Sequence, residues 1–82
     1  MSESNTAAFE LWPNPAQGRF TLTLEKSMPS EVVIYNVNGQ IVKSQKTDNQ
    51  TNVINVESLG SGVYFVEVKN ISGKTVKKVL VK

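Results

Sequence analysis

The sequence predicts an all-β domain, an immunoglobulin-like antiparallel β-sandwich of about seven short strands. Three observations predict it. Apolar residues recur with a period of two, most clearly at Phe20, Leu22 and Leu24 and again at Tyr64, Val66 and Val68. Clusters of Pro, Gly, Asn and Ser divide the chain roughly every eight to twelve residues. No segment carries a helical period. The 82 residues leave room for one domain only. A chain of this size buries about 60–65% of its unfolded surface, so its stability is expected to be modest.

Residues 1–8 precede the domain, which is expected to span 9–82. Ser2, Glu3, Ser4, Asn5, Thr6, Ala7 and Ala8 are small and polar and read as a linker. They lack the apolar core of a signal peptide, so the signal peptide of an exported protein would lie upstream. Phe9 to Trp12 is an apolar burst that Pro13 stops, and Pro13, Asn14 and Pro15 form a stiff turn closed by Gly18. Arg19 to Glu25 alternates, with Phe20, Leu22 and Leu24 on one side. Met28, Pro29 and Ser30 mark a turn. Val32 to Val37 is apolar on both faces apart from Asn36, as a central strand would be. Asn38-Gly39 predicts a two-residue type I′ hairpin, which needs positive φ at both positions.

Ile41 to Thr47 is expected to return antiparallel and to leave the core toward Lys46. Asp48 to Asn52 reads as a polar loop and Val53 to Val56 as a short strand. The turn from Leu59 to Gly62 then leads into Val63 to Lys69, the strand around which the others are arranged. Its Tyr64, Val66 and Val68 face is apolar, while its Phe65, Glu67 and Lys69 face becomes charged. Asn70, Ser72 and Gly73 turn the chain into a final strand, Lys74 to Val81. There Val76 and Leu80 share one parity with Lys78, while Val79 and Val81 take the other. A bulge near Lys77 and Lys78 is expected to reconcile them.

The chain has no histidine and no cysteine, which removes the commonest catalytic base, a thiolate nucleophile or metal ligand, and any disulfide. Its acids, Glu3, Glu10, Glu25, Glu31, Asp48, Glu57 and Glu67, are scattered, with no spacing for a carboxylate pair or a calcium loop. Ser30, Ser58 and Ser61 sit in turns with nothing to activate them. Gly60 and Gly62 do not lead into a helix, so they do not cradle a phosphate. No catalytic, cofactor-binding or metal-ligating residue is assigned, and an enzyme is the least favoured class. No apolar run approaches the ~20 residues of a membrane span, so direct membrane insertion is not expected.

Formal net charge is +2. After Glu67 come Lys69, Lys74, Lys77, Lys78 and Lys82, and no acid. Lysines on a terminal strand can protect an edge from aggregation. They can equally form a docking surface for an acidic partner. Nucleic acid is disfavoured, because the domain is only weakly basic and its aromatics do not interleave with the lysines. Trp12, Tyr35 and Tyr64 are open to two readings. They form a sugar-binding platform, or Tyr35 and Tyr64 are core residues with only their hydroxyls at the rim. An exposed terminal edge would also permit strand-to-strand dimers.

Four motifs, in order, carry a family resemblance over residues 9–82. Leu11-Trp12-Pro13-Asn14-Pro15 with Gly18 is similar to the aromatic-P-N-P…G opening of the type IX (Por) secretion C-terminal sorting domain. Val33 to Val42, through Asn36 and Gly39, resembles its second block, a strand, an N-x-x-G turn and a return strand. Leu59, Gly62, Val63 and Tyr64 fit L-x-x-G-x-Y, and Lys77 to Lys82 fit the terminal K-x-V/L-V-K segment. Trp12 stands where tyrosine or phenylalanine is commoner. The resemblance implies a non-catalytic address tag fused behind an N-terminal cargo domain of a Bacteroidetes-type secreted protein. The cargo is expected to pass through the periplasm and the type IX outer-membrane translocon to the cell surface or beyond. A sortase-like cysteine peptidase would then remove the tag by a cut in or just before Ser2 to Ala8. The recognition residues expected are Lys74, Lys77, Lys78, Val79, Val81 and Lys82. The alternative is a carbohydrate-binding or adhesive β-sandwich of a secreted enzyme.

Overall fold

A computed structural model describes residues 8–82, so the expected linker, Ala8 excepted, lies outside the described residues. Seven strands follow in order: β1 (Phe9–Gln17), β2 (Arg19–Leu24), β3 (Ser30–Tyr35), β4 (Ile41–Thr47), β5 (Thr51–Asn55), β6 (Gly62–Asn70) and β7 (Gly73–Val81). They form two layers, β1-β2-β5 and β4-β3-β6-β7. Strand alternation closes one layer on the other. Phe9, Phe20, Leu22, Leu24 and Ile54 point inward from the first layer, and Val32, Ile34, Val66, Val68, Val79 and Val81 from the second. All are buried, and burying each such side chain is worth about 1.5–3 kcal/mol. This is the expected seven-strand sandwich.

β1 belongs to both layers. Phe9 to Trp12 pairs antiparallel with Leu24 to Thr21 of β2. Ala16 pairs with Val81 of β7 in parallel, the one parallel contact among the otherwise antiparallel ladders of the described residues. The strand therefore does not stop at Pro13 as expected. Both prolines fall within the register break against β2, between Trp12 and Gln17, where their missing N–H groups cost no ladder bond there. The Trp12–Pro13 and Asn14–Pro15 peptide bonds are cis. Gly18, at φ 79°, turns the chain from β1 into β2, a conformation that side chains with a Cβ rarely adopt.

Three further details differ from expectation. The β3–β4 hairpin is not a two-residue type I′ turn, because Gly39 (φ 83°) has positive φ and Asn38 does not. Asn36 builds the turn instead. Its side-chain Oδ1 accepts from the Asn38 and Gln40 amides at 2.9 and 3.0 Å, and its carbonyl accepts from Gly39 at 3.0 Å. The result is a three-residue loop closed by the Asn36 amide on the Gln40 carbonyl. β4 is an edge strand from its first residue, with Ile41 61% exposed, so it never enters the core. β7 has no bulge: it pairs with β6 without a break from Asn70↔Gly73 to Gly62↔Val81. Val79 and Val81 face in, while Val76 and Leu80 face out beside Lys74 and Lys78.

Candidate recognition site

β7 holds most of the residues expected to recognise a partner, and its pleat divides them. Lys74 and Lys78 are exposed on the outer face. Lys74 Nζ lies 3.8 Å from Glu67 Oε2, a long contact on an exposed lysine that contributes little. Lys77 falls on the inward parity near the open side of the sandwich. Its ammonium sits 5.5 Å from the centre of the Phe9 ring and 3.9 Å from Glu10 Oε1, so it bridges the two layers. Val79 and Val81 are core residues and present no side chain to a partner, which removes them from the expected recognition set. Lys82 is exposed, and its amide donates to the Ala16 carbonyl at 2.8 Å.

The expected exposed terminal edge is only partly open. β7 lies between β6 and β1, not at the end of the sheet order. Beyond the Lys77 contacts with Phe9 and Glu10, β1 reaches the β7 backbone at Ala16 and through the side chain of Asn14. Asn14 Oδ1 accepts from the Leu80 amide at 3.0 Å, and its Nδ2 donates to the Lys78 carbonyl at 3.4 Å. The amide side chain thus imitates a strand neighbour at the point where two flanking prolines cannot donate. This gives the Pro13-Asn14-Pro15 motif a physical role as a latch on the terminal strand. Among the described residues, Lys74 to Lys78 of β7 have no strand on that side.

The other motif residues serve the fold. Gly39 sits at the β3–β4 turn and Gly62 opens β6 opposite Val81. Tyr64 packs against the core and donates its hydroxyl to the Gly60 carbonyl at 2.7 Å, tying down the loop before β6. Tyr35 is not a core residue. It stands on the outer face of the second layer and donates to Glu67 Oε1 at 2.7 Å. That bond, with partial burial and the negative charges of Glu67 and Glu31, raises its phenol above the ordinary value. Trp12 is exposed on the outer face of the first layer, paired with Thr21. The three aromatics therefore lie on three different surfaces and do not form a platform.

Sequence reasoning missed the outward apolar residues around the lysines. Val63, Phe65, Val76 and Leu80, with Val33 and Tyr35, share the outer face of β3, β6 and β7. The signal was present in the mixed parity of the last strand, where Val76 and Leu80 align with Lys78 and not with the buried valines.

Fold and surface define a small β-sandwich module whose distinctive feature is a terminal strand displayed on one face. The family model for the secretion system C-terminal sorting domain matches residues 10–82. The chain belongs to that family. It is also 32% identical over 71 residues to the beta-agarase A of Zobellia galactanivorans, covering 85% of this chain and 13% of the agarase. Over 63 residues it is 32% identical to an ulvan lyase of Nonlabens ulvanivorans, covering 76% of this chain and 12% of the lyase. The chain thus spans about an eighth of the length of these relatives. As a member of the family it is a secretion sorting signal carried by exported proteins.

Proposed function

We propose that this domain directs an attached cargo through the type IX outer-membrane translocon and catalyses nothing itself. A sortase-like cysteine peptidase then removes it by a cut in or just before residues 2–8, after passage through the periplasm. The observation that carries the reading is the family match over residues 10–82. It is supported by the way the family's motifs converge in space. The opening motif, through Asn14, grips the closing motif at Lys78 and Leu80. A tag that must be recognised as folded has reason to couple its two ends. The separation of Trp12, Tyr35 and Tyr64 onto different surfaces counts against the glycan-binding alternative.

The test fuses residues 1–82 to a fluorescent periplasmic passenger and follows its surface delivery in strains with and without the translocon. Delivery is expected only with the translocon, and removal of Lys77 to Lys82 is expected to trap the passenger. That deletion takes Val79 and Val81 out of the core, so it removes the fold together with the signal. Export of the truncated fusion at the normal level would refute the proposal. Sequencing the released domain locates the cut, and a cut between Gly18 and Lys82 would rule out the linker as the processing site.

A further inference from the structure

The outer face of the second layer is built as a set of cross-strand rows. Val63 pairs with Leu80, Phe65 pairs with both Tyr35 and Lys78, and Glu67 pairs with both Val33 and Val76. The last row is charged, with Lys46, Glu31, Lys69 and Lys74 side by side across four strands. Val76 is 51% exposed and Leu80 39%. Nothing in the fold requires apolar residues here, because the core lies on the opposite side of the same sheet. A contiguous apolar surface with a polar rim is the mark of an interaction site.

We infer that this face, centred on Phe65, Val76 and Leu80, is where the domain docks onto a protein partner whose surface is apolar at its centre and acidic at its rim. The inference rests on the delivery reading and names the surface that would be recognised. Charge selects the occupant. Four lysines on the face (Lys46, Lys69, Lys74, Lys78) stand against two glutamates (Glu31, Glu67), and Glu67 is already engaged by the Tyr35 hydroxyl. A second copy of this chain would bring the same lysines against one another, because a two-fold contact uses the same patch twice. An acidic rim would instead steer association and fix the docked orientation. The first layer offers no rival surface of this kind, since its outer rows are Glu10-Thr23-Thr51, Trp12-Thr21-Val53 and Gln17-Arg19-Asn55.

The experiment uses the fluorescent fusion of residues 1–82 and two variants of the face. Val76→Thr with Leu80→Thr keeps strand-compatible side chains at two exposed positions, and Lys78→Glu reverses one rim charge without touching the core. Each is expected to lower surface delivery by about tenfold, the loss of one modest hot spot, with the melting curve of the purified domain retained. Val53→Thr, on the opposite layer, is expected to leave delivery unchanged. Normal delivery of the threonine variant, with the Lys77–Lys82 truncation still trapped, would overturn the face and leave the delivery reading standing. Delivery of the truncation as well would remove both. Normal delivery of Lys78→Glu would overturn the acidic rim. A concentration-dependent dimer that Val76→Thr with Leu80→Thr abolishes would make a second copy the occupant and overturn the inference.

Discussion

The two outer faces of the sandwich obey different rules. On the first layer, β2 turns Thr21 and Thr23 outward between Trp12 and Glu10 of β1 and Val53 and Thr51 of β5. This is the usual arrangement for an antiparallel sheet with one side in water. On the second layer, Val33, Tyr35, Val63, Phe65, Val76 and Leu80 share the outward positions of β3, β6 and β7 with Glu31, Glu67, Lys69, Lys74 and Lys78. Both faces rest on one core and both are strand surfaces, so strand propensity does not separate them. What separates them is whether something other than water is meant to cover the sheet.

The largest effect comes from breaking what the faces share. Phe20 is almost fully buried in the first layer. Phe20→Ala is expected to cost about 3–5 kcal/mol, a large part of what a small domain has. Chemical denaturation should show both faces lost in one transition. A loss below about 1 kcal/mol would mean that the layers do not share a cooperative core. A smaller change separates the layers' connection from their packing. Asn14→Ala removes the two side-chain hydrogen bonds from β1 to the β7 backbone and leaves the pairing at Ala16. Asn14 is exposed, so water can replace part of what is lost, and the expected cost is about 1 kcal/mol. Hydrogen exchange at the Leu80 amide should accelerate, while amides of the β2–β5 ladder hold their rates.

How much of this was legible in the sequence follows from the range of each interaction. Alternation in β2 and β6 is local, and Phe20, Leu22, Leu24, Val66 and Val68 are core residues as their spacing says. The latch is not local: Asn14 meets partners 64 and 66 residues away, and only the fold brings them together. The β3–β4 turn misled because Asn38-Gly39 is a strong two-residue signal, whereas Asn36, two positions earlier, offered its own side chain to the backbone and set a longer loop. In β7 the assumption that apolar means buried produced a bulge that does not exist. Val76 and Leu80 are apolar and outward, so the strand looked irregular when it was regular. Val79 and Val81 entered the recognition set through the terminal motif, although they are core residues that hold the face up from behind.

A milder change tests the open side of the sandwich, where β1 and β7 diverge. Among the described residues, the buried Thr75 hydroxyl has no hydrogen-bond partner. A buried polar group left unpaired costs free energy, and replacing it with a methyl of the same shape recovers part of that cost. Thr75→Val is therefore expected to raise stability by about 0.5–1 kcal/mol, read as a higher denaturation midpoint at unchanged slope. A drop in stability would show that the hydroxyl is satisfied in solution and that the gap between the layers is wet.

The smallest effect concerns a hydrogen bond set within the outer face of the second layer. Tyr35 donates to Glu67, and its phenol is held above its ordinary value of 10.0, chiefly by that bond. The folded domain therefore keeps a proton that the unfolded chain has already released. Stability from this source is complete below the ordinary tyrosine value and falls as pH rises through the raised one. A Tyr35→Phe variant loses the bond and with it that part of the alkaline decline. Denaturation midpoints of the two proteins should differ at neutral pH and converge above the tyrosine range. If the two midpoints coincide across that range, the bond adds no stability and Tyr35 contributes by packing beside Phe65 alone.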